Sequence, residues 1–204
     1  MAMLFTGRLD CYACQSKKPG KDGEYGFRKK ETTTDIPSLI KMHLNGSEVI
    51  GFYPFDAEDQ CYYCAMDIRE RDEAMRLSHF LLDNNLPVLV ERLVSQESYH
   101  LWIPIIPTKT LTVYKFGKQL LHDAGVKGAD IYPGQKSISS CHMGSCGDFL
   151  MLPLGMDQEN NRISEFIDSR TFEPVESVDV EMVIRLREAP ESKTMIPPEE
   201  DDQE

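Results

Sequence analysis

Residues 61–106 read CYYCAMDIRERDEAMRLSHFLLDNNLPVLVERLVSQESYHLWIPII, and this stretch decides the fold class. Its first part, Cys61–Ile68, is β-rich and leads into Glu70–Asn85, where apolar residues recur at helical spacing. Two more β-rich segments, Val88–Leu93 and Tyr99–Ile106, are separated by a short polar break and predict a hairpin. Strands that form hairpins around a helix favour an α+β sheet with helices on one face over a doubly wound parallel sheet.

The flanking segments extend this pattern in both directions. Upstream, Thr34–Leu44 predicts a helix with Asp35 as its N-cap, and Val49–Pro54 predicts a strand that forms a hairpin with Cys61–Ile68. Residues 1–31 are polar and show little periodicity. Downstream, a helix over Thr110–Ala124 ends at Gly125, and three short strands follow at Asp130–Tyr132, Asp148–Leu154 and Ile163–Asp168.

The domain organisation predicted from this pattern is one domain over residues 1–188, with an N-terminal part (1–48) and a core (49–188). Residues 189–204 are rich in proline and acids and predict a disordered tail. The chain is 41% hydrophobic and 27% charged, which is ordinary for a protein that buries a core. No apolar run is long enough to span a membrane, and Met1–Phe5 does not resemble a secretory signal, so a cytoplasmic location is expected.

The formal net charge of −12 makes the chain a poor non-specific ligand for polyanions. Binding to nucleic acid would therefore depend on local basic patches, for which the alternative is a set of solvated surface charges. The candidates are Lys17, Lys18, Lys21, Arg28, Lys29 and Lys30, followed by Lys109, Lys115 and Lys118.

Three residues are candidates for chemistry at strand ends. Asp67 ends an apolar strand, where a carboxylate could bind Mg²⁺ or Mn²⁺, although it could also cap the following helix. His100 shares one strand face with Ser98 and Trp102, so Ser98 and His100 could hold triphosphate oxygens; a buried core histidine is the alternative. Asp130 is a second potential metal ligand or a turn-forming aspartate.

The six cysteines do not suggest disulfides, because the chain carries no secretory signal. A zinc site built from Cys11, Cys14, Cys141 and Cys146 is one interpretation, and ordinary thiols are the other. Cys61 and Cys64 face opposite ways on a predicted strand, which argues against a shared metal there.

Several short motifs resemble, in order and spacing, the primase domain of TOTE conflict systems, within the archaeo-eukaryotic primase superfamily. The resemblance covers residues 4–175, and its motifs lie at Phe5–Ala13, His43–Gly46, Gly51–Pro54, Cys61–Asp67, Val90–Arg92, His100–Trp102, Asp130–Gln135, Leu152–Gly155, Phe166–Asp168 and Phe172–Pro174. It implies an RRM-like catalytic core. It also implies a primase or polymerase that joins nucleoside triphosphates on a single-stranded or primed nucleic-acid template.

The same resemblance implies roles for individual residues. Asp67 and Asp130 would bind Mg²⁺ or Mn²⁺, and His100, with Ser98 and Gln135, would contact the nucleotide. The partners implied are nucleic acid, nucleoside triphosphates and, in such a system, a helicase or nuclease, with no membrane involved.

Two departures from the family pattern suggest an alternative function. The family carries a second acid two residues after the first, whereas Arg69 stands there, and a guanidinium cannot ligate a cation. Glu70 is a weaker replacement for the missing ligand. In addition, Ser95–Ser98 replaces a glycine-rich turn. The alternative is therefore a catalytically weakened, nucleic-acid-binding or scaffolding subunit of a mobile-element or defence system.

Overall fold

The computed structural model describes Phe5 and residues 7–21, 25–93, 97–134, 147–156 and 161–175. Within these residues the helices are α1 (Ile36–Leu44), α2 (Arg71–Asp83) and α3 (Thr110–Ala124). The strands are β1 (Cys11–Gln15), β2 (Phe27–Glu31), β3 (Ile50–Phe52), β4 (Gln60–Ile68), β5 (Leu89–Leu93), β6 (Ser98–Lys109), β7 (Ala129–Tyr132), β8 (Leu150–Met151) and β9 (Glu165–Ile167). The predicted tail, 189–204, lies outside the described residues.

The larger sheet has five strands in the order β7-β4-β6-β5-β9, and every neighbouring pair is antiparallel. Its first four strands and two helices follow one another as β4-α2-β5-β6-α3-β7, which is the split β-α-β arrangement of RRM-like folds. The predicted hairpin of β5 and β6 is present. The α+β prediction with an RRM-like core is confirmed.

The smaller sheet has the order β2-β1-β3-β8, and one sequence-based prediction fails there. Residues 1–31 contain the hairpin of β1 and β2, which has little hydrophobic alternation because β1 is almost wholly buried and β2 almost wholly exposed. The predicted hairpin of β3 with β4 is wrong. The two strands belong to different sheets, and a single bridge between Phe55 and Cys61 joins the segments. The smaller sheet thus takes strands from both sides of residue 48.

Two hydrophobic clusters cover the two faces of the larger sheet. On one face α2 and α3 pack against residues such as Met66, Ile68 and Leu101. On the other face Trp102 packs with Phe52 of the smaller sheet and with side chains of α1. This second face, called the inner face below, therefore joins the two sheets.

The ends of the helices explain which acids serve as caps. Asp35 caps α1 as predicted, since its side chain accepts a hydrogen bond from the main-chain N–H of Ser38 at 3.0 Å. The N-cap of α2 is Glu70, so the capping alternative for Asp67 is wrong. Gly125 ends α3 in the left-handed conformation at φ 66°, as expected of a C-terminal glycine.

The pairing of β4 with β6 is irregular near its beginning. Cys61 pairs with Thr108, whereas Tyr63 pairs with Pro104, so β6 advances four residues while β4 advances two. Beyond this irregularity the register is regular as far as Ile68. The segment that carries the candidate site therefore has its own fixed register.

No helix among the described residues is long and apolar enough to cross a membrane.

Candidate active site

Four polar residues form a row across the larger sheet. Asp67 of β4 lies directly opposite Asp130 of β7 on one side and His100 of β6 on the other. His100 in turn lies opposite Glu91 of β5. Directly opposed residues project from the same face of a sheet. The structure thus brings the three sequence-derived candidates together on the inner face and adds Glu91 to them.

The acidic end of the row has an unsatisfied oxygen. Asp67 is half-buried, and its Oδ1 is buried without a hydrogen-bond partner among the described residues. Asp130 is exposed beside it. Burial, followed by the negative charges of Asp67, Asp130 and Asp148, raises the pKa of Tyr132 to about 12. An orphaned carboxylate oxygen within a region of negative charge fits a hard divalent cation, whose preferred ligands are oxygens.

The other end of the row is a buried hydrogen-bond network around Glu91. This side chain is 2% exposed, and its Oε2 accepts from His100 Nδ1 and Trp102 Nε1, each at 3.2 Å. Its Oε1 accepts from the main-chain N–H of Leu154 at 3.1 Å and from the hydroxyl of Ser164. Burial alone would raise the pKa of Glu91, but the hydrogen bond and charge of His100, with the other donors, lower it overall.

Because a carboxylate only accepts hydrogen bonds, the pairing fixes a proton on Nδ1 of His100. Its Nε2 makes no hydrogen bond to any residue that the structure describes, so this nitrogen is the one left for a ligand. His100 is also buried, at 3% exposure, and meets the Trp102 ring edge-on with 5.9 Å between centroids. The expectation of a core histidine beside tryptophan therefore describes its surroundings, while one ring nitrogen remains unused.

Sequence reasoning did not assign a role to Glu91. The signal was present, because an acid inside the apolar run Leu89–Leu93 must be buried, and buried acids need partners. What was missing was the register that sets Glu91 opposite His100.

The sequence also singled out Ser98, Glu70, Arg69 and Gln135. Ser98 lies on the same strand face as His100, and its hydroxyl is buried without a partner among the described residues. Glu70 is exposed at the N-cap of α2, and its side chain makes no capping hydrogen bond. Arg69 is exposed directly after β4. Gln135 lies outside the described residues.

Two of the four cysteines proposed as zinc ligands lie in the described residues. Cys11 and Cys14 pack into different hydrophobic clusters on β1, and Cys14 donates a hydrogen bond to Glu48 at 3.3 Å. Cys141 and Cys146 lie outside the described residues. Within the described residues no three His, Cys, Asp or Glu side chains converge as a metal site. Cys11 and Cys14 thus face different clusters, and the zinc site with Cys141 and Cys146 stays a prediction.

A basic groove of about 700 Å³ lies at the edge of the smaller sheet. Its cationic lining residues come from the N-terminal patch singled out in the sequence, namely Lys17, Lys18, Arg28 and Lys30. Lys30 is held by Glu48 at 3.1 Å. Later in the chain, Lys109 donates to the carbonyl of Glu58 at 2.9 Å and is not among the residues that line this groove.

Comparison with known families identifies the chain. The family described as the archaeo-eukaryotic primase domain of TOTE conflict systems matches residues 1–193. The chain belongs to this family. The matched range includes every residue that the structure describes, so the resemblance noted from the motifs is confirmed. A search of curated proteins found no match.

A search of solved structures found similar chains for this TOTE-type primase domain, two of which are primases. One is the archaeo-eukaryotic primase domain of the primase-polymerase from cyanophage S-2L, with a TM-score of 0.49, 11% identity and coverage of 91% of this chain and 93% of that chain. The other is the catalytic domain of primase Repb′ in complex with initiator DNA, with a TM-score of 0.45, 12% identity and coverage of 81% and 80%, respectively.

Proposed function

We propose that this domain is a primase or polymerase that forms phosphodiester bonds from nucleoside triphosphates on a nucleic-acid template. The observation that carries the proposal is the row in which Asp130, Asp67 and His100 occupy directly opposed positions on three neighbouring strands. Independent drift of a retired site would not be expected to retain all three residue types in one row. The family of the chain supports the same reaction class.

The acids of the row have the chemistry to hold Mg²⁺ or Mn²⁺. Asp67 and Asp130 would supply the oxygens, and this role is supported by Oδ1 of Asp67, which finds no partner in the part of the chain that the structure describes. A divalent cation there would supply charge neutralisation for the reacting phosphate and activation of the attacking hydroxyl. Glu70 is the weaker third candidate, since it is exposed and starts the next helix.

The histidine end of the row would contact the nucleotide. Glu91 accepts a hydrogen bond from Nδ1 of His100, and a His100 ring that is protonated at Nε2 as well would donate from that nitrogen to a phosphate oxygen. Ser98 carries, on the same strand face, a buried hydroxyl that has no partner among the described residues, and such a group gains by meeting a ligand. These two groups would orient the triphosphate beside the acids, and Gln135 stays a sequence-based candidate for the same task.

The basic groove at Lys17, Lys18, Arg28 and Lys30 would hold the backbone of the template. In a chain with a net charge of −12, these lysines and arginine supply the local positive charge that phosphate binding needs. A cytoplasmic location and a helicase or nuclease partner belong to the same proposal.

The test is incorporation of labelled nucleotides on primed and unprimed single-stranded DNA with Mg²⁺ or Mn²⁺. Asp67→Asn and Asp130→Asn should each lower incorporation at least about 100-fold, as expected when a metal-binding charge is removed from such a site. Asp123→Asn is the matched control, because that acid is exposed on α3 outside the row. Full activity in both row variants would refute the assignment.

The exposed Arg69 favours a second candidate, a catalytically weakened subunit that binds nucleic acid or serves as a scaffold. In that case the folded protein incorporates no nucleotide with either metal. Single-stranded DNA should still bind, and replacement of Lys17 and Lys18 by alanine should weaken binding and flatten its dependence on salt.

A further inference from the structure

A second cationic pocket lies at the end of the larger sheet where β4 ends and β6 begins. Its volume is about 460 Å³. The lining contains four arginines and a single acid, together with two hydrophobic or aromatic side chains: Arg69, Arg71, Arg92, Arg162, Glu97, Leu93 and Tyr99. Neither the family description nor the motifs of the sequence assign this pocket a ligand.

The charge of this pocket is opposite to that of the chain. Four arginines and one glutamate line the pocket in a protein whose net charge is −12, and Glu165 outside the lining compensates one of the arginines, Arg92. Like charges around one pocket repel each other, so the arrangement gains stability when an anion enters. Planar guanidinium groups match the oxygens of a phosphate with paired hydrogen bonds, and they keep their charge at every physiological pH.

Two of the arginines are held in place by neighbours. Arg92 forms an ion pair with Glu165 on β9, and Arg71 stacks over the ring of Phe172 with 5.7 Å to its centroid. Arg69, by contrast, makes no hydrogen bond or ion pair with any residue in the described ranges. The pocket thus combines anchored charges with a guanidinium whose donors remain for a ligand.

The position of the pocket relates it to the row. Arg69 follows Asp67 by two residues, which corresponds to roughly 7 Å along an extended strand. The pocket also adjoins the N-terminus of α2, a helix of 13 residues whose N-cap, Glu70, makes no side-chain capping bond. The main-chain N–H groups of the first turn add positive potential, which Asp72 and Glu73 in that turn offset in part.

We propose that this arginine pocket binds the phosphate tail of a ligand whose reacting end lies at the row, and that Arg69 is part of the phosphate site. This inference rests on the proposed function, because the row must hold the reacting phosphate. The shared chemistry is a terminal phosphate or polyphosphate. Its source is either the triphosphate of a nucleotide or the 5′-phosphate of a nucleic-acid strand.

The test is calorimetric binding of inorganic tripolyphosphate, a nucleoside triphosphate and an oligonucleotide with or without a 5′-phosphate. Arg69→Gln and Arg162→Gln should each weaken binding of tripolyphosphate about tenfold or more. Arg170→Gln is the control, because that exposed arginine pairs with Asp83 outside the pocket. Comparison of the nucleotide with the two oligonucleotides distinguishes the sources. Equal binding of tripolyphosphate by the wild type and both pocket variants would overturn the proposal.

The charge-reversed variant Arg69→Asp distinguishes a phosphate site at Arg69 from a metal site that has lost its acid. It should bind tripolyphosphate more weakly than Arg69→Gln and should not gain incorporation activity. A gain in incorporation would overturn the proposal, since it would mean that an acid belongs at this position. If the wild type binds tripolyphosphate through Arg69 but incorporates no nucleotide, the pocket stands and the proposed reaction fails. Melting temperatures verify that each variant is folded.

Discussion

Replacement of Glu91 by glutamine tests whether the buried network holds the row together. The carboxylate accepts four hydrogen bonds, two on each oxygen. Glutamine has the same shape, but its amide nitrogen must occupy one of the two oxygen positions and face donors. In one orientation it faces the indole N–H of Trp102, and in the other it faces the main-chain N–H of Leu154. Neither donor can become an acceptor, so one of them is left unsatisfied.

The expected loss of stability follows from the number of hydrogen bonds that are lost or weakened. An unsatisfied buried donor costs about 1–3 kcal/mol, and loss of the charge weakens the remaining bonds to His100 and Ser164. We expect Glu91→Gln to lower the free energy of unfolding by about 3 kcal/mol, which corresponds to a fall in melting temperature of roughly 6–12 °C for a chain of this size. Glu165→Gln on the neighbouring strand removes a partly exposed ion pair and should cost less than about 1 kcal/mol.

The pH dependence gives an independent check by circular dichroism. The pKa of Glu91 is lowered in the folded protein, so its ionisation stabilises the fold above 4.5, the ordinary value, and this contribution is lost as the pH falls through the lowered pKa. The difference between the wild type and Glu91→Gln should therefore be largest near neutral pH and shrink below about pH 4.5. Equal melting temperatures at pH 7 would refute the reasoning.

Three further predictions concern other buried groups. His43→Ala removes both hydrogen bonds of a buried imidazole to main-chain groups and should cost about 2–3 kcal/mol near pH 8 in urea unfolding. Because burial lowers the pKa of His43, the wild type should lose stability as the pH falls below 6.5, and the difference between the two proteins should shrink. Gly7→Ala should lower the melting temperature strongly, because its Cβ would lie 2.4 Å from the carbonyl oxygen of Tyr53; an unchanged value would contradict this close approach. Burial raises the pKa of Cys61 to about 12 and raises that of Cys64 as well, so peptide mapping should find both unmodified by iodoacetamide at pH 8 until the protein is unfolded.

The strands and helices of the larger sheet could be predicted from the sequence because each has a strong local pattern. Its helices are amphipathic and end at Asn84 and Gly125, and the hairpin of β5 and β6 has a polar turn between two apolar runs. The strand pairing of the smaller sheet could not be predicted. Its strands are short, and β3 is buried along its whole length, so nothing local reveals that it pairs with β1 instead of β4.

The candidate site could also be predicted only in part from the sequence. Asp67, His100 and Asp130 could be selected individually as polar residues at strand positions, but their alignment depends on the register between non-consecutive strands. The arginine pocket depends even more on tertiary structure, because Arg69, Arg92 and Arg162 come from three separate segments. Spacing in the sequence gives no indication that they meet.

The irregular pairing between Cys61 and Tyr63 has a consequence for how chain length can vary among related proteins. Residues inserted or deleted in the turn at 56–59 leave the register from Tyr63 onward unchanged, although they disturb the hydrogen bonds of Glu58 and Asp59 to Lys109 and Thr110. One residue added between Tyr63 and Asp67 would instead turn the carboxylate from the inner face towards the helices. Changes of length before Tyr63 therefore leave the carboxylate on the inner face, whereas residues 63–67 must keep their number.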